Sequence, residues 1–192
     1  MIRQIIIVAL FGFGFLTTGN AQQIGVQTNL FYGISTVTPN LGVELRLNKK
    51  STFHLAGSYN PWNLNEKHNN NKKLVHWLTS IEYRRWLCES FNGHFLGLQL
   101  IGGEYNISGH DVLGLFDKDS RYEGWGVSTG INYGYHWMWS KRWGMELTFG
   151  FGYARLNYDQ YDCPTCAEKE GNYSKNYFGL TQAGINLIFL IK

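Results

Sequence analysis

Ionisable side chains recur at alternate positions in three segments of the chain. Glu44 and Arg46 form one pair, Glu82 and Arg84 form a second, and Glu146 stands in a third segment. Residues two apart on a β-strand point to the same face of the sheet. If these segments line the inside of a closed sheet, carboxylates and guanidiniums meet there. Because unpaired buried charge is costly, we expect these five residues to pair as a network in the interior.

Two interpretations of this network stay open. In the first it is structural, because the interior of an eight-stranded barrel is just wide enough for side chains to fill. In the second it gates a narrow pore, because the glycines on the same face would leave space near the axis for water or an ion. Further polar positions are expected on the same inner face: Gln27, Asn29, His54, Gln99, Asn132, His136, Gln182 and Asn186.

The segment Cys163-Pro164-Thr165-Cys166 places two cysteines at redox or metal-binding spacing. A thioredoxin-like motif opens a helix after a strand, and that context is missing here. A zinc site needs two further ligands, and none has a suitable local spacing. In an exported protein the pair favours a disulfide between Cys163 and Cys166, with a free or metal-bound pair as the alternative. Cys88 is expected to be an unpaired small hydrophobic residue.

The segment Ser108-Gly109-His110-Asp111 holds the residue types of a nucleophilic triad. Some small outer-membrane barrels are lipid-modifying enzymes, so a hydrolase or acyltransferase is one alternative function. Triads are assembled in space, however, and sequence spacing alone does not identify one. In a polar loop the same residues are ordinary turn formers. We therefore predict a protein that is not an enzyme, has no catalytic residue and needs no cofactor or metal.

Strict alternation of apolar and small or polar residues predicts long β-strands around these positions. From Trp143 to Tyr153 every second residue is apolar, and the residues between are mostly glycine or polar. The same period of two runs through 125–137. Eight strands are predicted, at roughly 23–35, 40–48, 51–60, 74–87, 94–106, 121–137, 143–158 and 175–191.

The two faces of these strands predict the environment. A water-facing surface should carry many Lys, Glu and Asp residues. Here the second face is glycine, serine, asparagine and glutamine with isolated ions, and the lysines fall near turns, loops and chain ends. This pattern is typical of a transmembrane barrel, with the apolar face toward lipid. We therefore predict an all-β, eight-stranded, antiparallel up-and-down transmembrane β-barrel. A soluble periplasmic barrel conflicts with the glycine-rich polar face.

Connections and aromatic residues predict how the barrel is oriented. Short turns at 48–50, 88–93 and 138–142 alternate with long connections at 61–73, 107–120 and 159–174, whereas 36–40 would be short. Outer-membrane barrels have short periplasmic turns and long external loops, so both chain ends are expected in the periplasm. Two interfacial girdles are predicted, one of Trp86, Trp137, Trp139 and Trp143, the other of Tyr59, Trp77, Trp125, Tyr153 and Tyr177.

The N-terminal segment predicts export. Arg3 precedes the apolar run Ile5–Leu16, and small or polar residues then lead to Ala21. This order is typical of a cleaved signal peptide, and the run is shorter than the roughly 20 residues of a spanning helix. We expect a signal peptide at 1–21 and a mature barrel domain at 22–192. The formal charge of +3 is weak and its basic residues are scattered, so nucleic acid is not expected as a partner.

Several segments together resemble a known family, the domain of unknown function numbered 3575. They include Thr28-Asn29-Leu30-Phe31-Tyr32, Pro39-Asn40-Leu41-Gly42-Val43-Glu44, Tyr59-Asn60-Pro61-Trp62, Lys72-Lys73-Leu74 with His76-Trp77, Phe91-Asn92-Gly93-His94-Phe95, Arg121-Tyr122-Glu123-Gly124-Trp125, and Cys163-Pro164 with Cys166. The resemblance implies a small outer-membrane barrel of Gram-negative bacteria, with an architecture similar to the OmpA transmembrane domain. It implies no catalytic residue.

The function predicted from the sequence is a structural role or a surface-interaction role. We expect a small outer-membrane barrel whose external loops engage a partner. The expected partners are outer-membrane lipid and a surface or envelope protein. A narrow pore for small solutes or ions and a lipid-modifying enzyme are the alternatives.

Overall fold

A computed structural model describes residues 24–62, 73–109, 120–161 and 169–191. The predicted signal peptide, His110, Asp111 and the Cys163–Cys166 pair lie outside these residues. Among the described residues, no helix has the length and apolar composition needed to cross a membrane.

Nearly all of the described chain is extended. The strands are β1 Ile24–Asn29, β2 Asn40–Asn48, β3 Ser51–Asn60, β4 Lys73–Trp86, β5 Gly93–Ser108, β6 Arg121–Met138, β7 Trp143–Tyr161 and β8 Lys169–Ile191; the one described helix, α1, is Leu30–Thr36.

The eight strands form a closed ring in sequence order. Each strand pairs antiparallel with the next, and β8 returns to pair with β1, where Val26 lies opposite Phe189. Ring closure gives every strand a partner on both sides at the level of β1, whereas β8 before Asn186 extends beyond the end of β1. This confirms the predicted all-β, up-and-down arrangement of eight antiparallel strands.

The first predicted strand, 23–35, is wrong beyond Asn29, because helix α1 follows directly. The Asn29 side chain accepts a hydrogen bond from the backbone N–H of Tyr32 at 3.0 Å, which caps the first turn of the helix. Val37 ends the helix in the left-handed conformation at φ 52°. The run of apolar residues after Asn29 carries little period-two alternation, and the cap decides its conformation.

The ring is apolar outside and polar inside. Side chains such as Leu98, Ile131 and Phe151 are exposed, whereas Glu44, Arg84 and Asn132 are buried. The alternation predicted for the central strands therefore matches the two faces of the ring. Among the described residues few apolar side chains are buried, and most of these are aromatic.

The wall of the ring has unequal height. Strands β1 to β3 are short, while β8 has 23 residues and β7 has 19. The taller strands rise at the end of the ring that carries the longer connections, which we call the long-connection end. The opposite end, with the turns after β2, β4 and β6, is called the short-turn end. The predicted final connection is shorter than expected, since β7 reaches Tyr161 and β8 begins at Lys169.

A β-bulge in β8 explains why the sequence pattern there is mixed. Gly150 pairs with Gln182, but Phe151 pairs with Leu180, so Thr181 has no opposite residue. The extra residue reverses which positions face outward. Phe178 accordingly lies outside the ring with 82 % of its surface exposed, although it shares sequence parity with the inward Gln182.

Deletion of Thr181 should therefore disrupt β8. Without the bulge, a continuous strand would turn the residues before it to the opposite face. We expect the free energy of unfolding to fall by more than about 2 kcal/mol, since polar groups and large apolar side chains would exchange environments. Urea titration of the refolded protein in detergent micelles, followed by tryptophan fluorescence, measures this change.

Deletion of Glu170 is the matched control. Glu170 is skipped by the second irregularity of β8, where Tyr161 pairs with Lys169 and Gln160 pairs with Gly171. Its removal shifts only the tip of the strand, so we expect a loss below about 0.5 kcal/mol. Equal losses in the two deletion variants would contradict the proposed role of the Thr181 bulge.

Candidate functional site

Arg84 is the centre of a buried cluster inside the ring. Its Nη1 donates to Glu44 Oε2 at 2.7 Å and to Glu146 Oε2 at 3.1 Å, and its Nη2 donates to Glu82 Oε2 at 3.0 Å. All four side chains are at most 2 % exposed. We call these four residues the charged cluster.

A second layer of hydrogen bonds holds the carboxylates. Thr52 Oγ1 donates to Glu44 Oε1, and Thr52 Oγ1 itself accepts from Trp86 Nε1 at 2.9 Å. Asn186 Nδ2 donates to Glu146 Oε1 at 3.0 Å. The second oxygen of these two carboxylates is therefore also occupied, which offsets part of the cost of taking them out of water.

Strand geometry brings the cluster together from distant parts of the sequence. Glu44 lies on β2, Glu82 and Arg84 lie two residues apart on β4, and Glu146 lies on β7. Each points inward because side chains alternate along a strand. Gly97 lies opposite Arg84 on β5, and a Cβ atom there would overlap the Glu82 carboxylate. Glycine at this position therefore makes room for the cluster.

The structure does not bring Arg46 to these residues. Its Nη2 lies 3.3 Å from Glu89 Oε1, and the two side chains are 20 % and 65 % exposed. Arg46 shares the inward parity of Glu44, but it lies close to the short-turn end, where its long side chain reaches a turn residue. The cluster thus holds one guanidinium against three carboxylates.

His54 extends the cluster toward β1. Its Nδ1 lies 3.6 Å from Glu82 Oε2, and its Nε2 contacts Gln27 Nε2. This distance is too long for a hydrogen bond, but a proton on Nδ1 of the neutral imidazole avoids placing its lone pair against the Glu82 carboxylate. His54 Nε2 is then the acceptor for the Gln27 amide.

Aromatic side chains close the interior below the cluster, at the short-turn end. Phe95 is fully buried, with its ring centroid 4.8 Å from that of Trp86 and 4.6 Å from Arg84 Cζ. The Phe91 ring centroid lies 6.0 Å from that of Trp86. The expectation that Trp86 belongs to an outer aromatic girdle is wrong, since it is 1 % exposed and points inward with Arg84.

The turn that carries Phe91 is tied to the preceding turn. The backbone N–H of Ser90 donates to Lys49 O at 2.9 Å, and its hydroxyl donates to Asn48 O at 2.9 Å. Phe91 adopts a positive φ of 63°, which is uncommon for a large side chain and turns the ring under the barrel wall. These bonds hold the aromatic layer in place across the end of the ring.

Sequence reasoning missed this aromatic layer, although one signal for it exists. Phe95 has the same parity as Gly97 and Gln99, opposite to the outward Leu96 and Leu98. Extending the alternation of β5 by one step would have placed Phe95 inside. For Phe91 no such signal exists, because it lies in a turn.

Amide side chains form the next layer above the cluster. Asn132 Nδ2 donates to Gln99 Oε1 at 2.9 Å and to Gln182 Oε1 at 2.7 Å. Gln99 Nε2 in turn donates to Thr181 Oγ1 at 2.6 Å. The bulge residue of β8 thus takes part in the interior network that spans β5, β6 and β8.

The geometry favours structure over chemistry at this site. Both carboxylate oxygens of Glu44 and of Glu146 accept hydrogen bonds, whereas Glu82 accepts only through Oε2. No group of three or more His, Cys, Asp or Glu in the described ranges could hold a metal ion. Ser108 is the serine of the Ser108–Asp111 segment that holds the residue types of a triad. It is 1 % exposed and is the last residue of β5. Cys88 is free and exposed.

Replacing Arg84 with Met should destabilise the protein strongly. The substitution leaves three carboxylates buried without their guanidinium, and breaking a buried ion pair this way costs about 3–5 kcal/mol. Chemical unfolding in micelles, monitored by gel mobility before and after heating, provides the measurement. The triple variant Glu44→Gln, Glu82→Gln, Glu146→Gln in the Arg84→Met background should recover part of the loss.

Replacing Arg46 with Met is the matched control. Its pair with Glu89 is partly exposed, and such pairs contribute about 0–1 kcal/mol. If Arg46→Met and Arg84→Met lower stability equally, the charged cluster does not have the role assigned to it.

The comparisons with known proteins bear on the whole chain rather than on one residue. No curated protein and no solved structure matches it. The family model described as protein of unknown function (DUF3575) matches residues 5–191, which is nearly the full length. The chain therefore belongs to the DUF3575 family.

Proposed function

We propose that this protein is a non-enzymatic outer-membrane barrel whose interior is closed at the short-turn end and which acts through its long-connection end. In this proposal the ring spans the outer membrane of a Gram-negative bacterium after removal of a signal peptide. The membrane lipid is its first partner, and a surface or envelope protein is its second. The alternatives of a pore and of a lipid-modifying enzyme have less support from the geometry.

The observation that carries the proposal is the apolar outer surface of the ring. Leu98, Ile131 and Phe151 lie on three successive strands and are 63 %, 61 % and 62 % exposed. Monomeric soluble proteins rarely expose continuous apolar patches of more than a few hundred Å². In a bilayer the same surface is favourable, and at the levels where all eight strands pair, the closed ring satisfies the strand hydrogen bonds that lipid cannot.

The contents of the ring support a structural role over conduction. The aromatic layer of Trp86, Phe91 and Phe95 lies across the short-turn end, and the charged cluster fills the ring above it. A conducting pore needs a continuous wet path, and these buried side chains occupy its cross-section. The glycines that motivated the pore alternative instead make room for cluster side chains, as Gly97 does.

The first experiment is membrane fractionation with a heat-modifiability gel. Outer-membrane location together with a compact band in unheated samples would support the proposal. A soluble protein with no mobility shift on heating would overturn it, because the outer surface could then not be facing lipid.

Replacing Ile131 with Arg distinguishes lipid from water as the outer environment. An arginine on the lipid face near the bilayer midplane costs about 2–4 kcal/mol. An exposed substitution in water would change stability by about 0.5 kcal/mol or less. Folding equilibria in phospholipid vesicles, measured by urea titration, should show the larger loss.

Tyr173→Arg is the matched control, because Tyr173 is also exposed but lies in the tall outer part of β8. We expect a cost of about 0–1 kcal/mol there, since the penalty falls toward the interface. Equal effects at both positions would contradict the membrane orientation proposed for the ring.

Planar-bilayer recording tests the sealed interior. The wild-type protein should show no stable conductance, because the aromatic layer and the charged cluster block the axis. A Glu146→Ala variant should also be silent, since the aromatic layer remains. A steady conductance in the wild type, altered by Glu146→Ala, would establish the pore alternative instead.

A further inference from the structure

The interior of the ring is not filled between the charged cluster and helix α1. A cavity of about 190 Å³ lies there, and we call it the chamber. His54 and Asn186 line it on the side of the cluster, and Tyr32 lines it on the side of the helix. Gln27, Ser80 and Gln182 line its walls.

We propose that the chamber binds a small uncharged solute that both donates and accepts hydrogen bonds, such as a short polyol. The inference does not rest on the membrane location, because it concerns only the inside of the ring. It goes beyond the proposed function, which assigns no ligand to the interior.

Two amides at the chamber use only part of their hydrogen-bonding capacity within the protein. Gln182 accepts from Asn132 through Oε1, and Asn186 donates to Glu146 through Nδ2. An amide side chain carries an acceptor oxygen and a donor NH₂ group. Gln182 Nε2 therefore remains as a donor, and Asn186 Oδ1 remains as an acceptor.

Gln27 adds a buried acceptor. It is 5 % exposed and contacts His54 through Nε2, while its Oε1 has no hydrogen-bond partner among the described residues. The orientation of this amide follows from His54, whose Nδ1 carries the proton facing Glu82. A buried acceptor without a partner is unfavourable, so a bound solute that donates a hydrogen bond to Gln27 Oε1 gains affinity from satisfying it.

The lining of the chamber disfavours anions. No Lys or Arg is among the described residues that line it, and the neighbouring charged cluster holds three carboxylates against one guanidinium. An anion moved into this space would lose its hydration without gaining a counter-charge. Ala56, Leu78 and Ile101 provide apolar contact for the carbon atoms of a neutral solute.

The volume of the chamber limits the size of the solute. An engineered protein cavity of about 150 Å³ holds benzene, so about 190 Å³ accommodates a molecule of roughly six to eight heavy atoms. Drug-sized ligands need about 300 Å³ or more. Glycerol and erythritol lie within the allowed range and carry both donors and acceptors.

Helix α1 holds the upper side of the chamber in place. His76 Nδ1 lies 2.8 Å from Leu74 O, a carbonyl that only accepts, so Nδ1 carries the proton. His76 Nε2 is then free to accept from the Tyr32 hydroxyl, which it contacts. Asn60 Nδ2 donates to Thr36 O at 3.0 Å and fixes the other end of the helix.

The test is saturation-transfer NMR on the purified protein in micelles of an amine-oxide detergent without a sugar headgroup, with erythritol as the probe. Saturable binding of erythritol, without binding of glycerol 3-phosphate at the same concentration, would support the proposal. The absence of saturable binding by either erythritol or glycerol would overturn it, since the chamber would then hold only water. Equal binding of glycerol 3-phosphate would overturn the exclusion of anions.

Ala56→Leu places the binding in the chamber. Ala56 lines the chamber and lies opposite Ser80, so a larger side chain there fills the space. We expect erythritol affinity to fall at least about tenfold, because overpacking a filled site is unfavourable. Thr79→Leu adds the same side chain at an exposed position one residue from Ser80 and should change affinity less than about twofold.

Ser80→Leu fills the same space from β4 and replaces Ala56→Leu if that variant does not fold, as judged by the heat-modifiability gel. Unchanged affinity in a folded chamber-filling variant would overturn the location. Loss of affinity in Thr79→Leu to the same extent would do so as well. A soluble protein that still binds erythritol in the chamber would contradict the membrane proposal but not this one.

Discussion

The arrangement of the interior depends on the burial of one guanidinium. Arg84 donates hydrogen bonds to carboxylates on β2, β4 and β7, and no two of these strands are neighbours in the ring. Replacement of such a cluster by apolar residues of similar volume is often neutral for stability, whereas removal of one partner is not. The value of the cluster is thus specificity, because a one-residue slip of β7 against its neighbours would turn Glu146 away from Arg84 and leave charge unpaired.

The same constraint explains the layered contents of the ring. Below Arg84 the Phe95 ring faces the guanidinium, a contact that favours the cation where water is excluded. Above it, amides take over, and their unused donors and acceptors face the chamber. From the short-turn end upward, the interior therefore changes from aromatic side chains to the charged cluster and then to amides. Glycine at 97 and at 134 leaves room for Glu82 and Phe95, respectively, so these layers fit within a narrow ring.

Much of this fold could be predicted from the sequence, because alternation has a direct physical cause in strand geometry. The strands from β2 to β7 were predicted with small errors at their ends. Helix α1 was missed because a single capping side chain, Asn29, outweighs the extended tendency of the residues around it. The parity change at Thr181 was visible as an exception at Phe178, but the sequence alone does not say whether a bulge or a strand end causes it.

The site was harder to predict than the fold, because the alternation gives the face of a side chain but not which partner the side chain reaches. The alternation gives the face of Arg46 correctly. Its side chain nevertheless pairs with Glu89 in a turn, because Arg46 is long and lies near the end of the ring, where the turn is within its reach. Glu44 and Glu82 lie in one row because each pairs with His54, and Glu146 meets Arg84 across the interior. The pairing register that produces these contacts does not follow from the period of two. The chamber could not be predicted from the alternation, because it is the space that remains between side chains such as Gln27, Ser80 and Gln182 on different strands. With the short-turn end closed by aromatic rings, that space is approached from the side of helix α1, where the chain also places its longer connections. Ligand access and any surface partner would therefore share one end of the molecule.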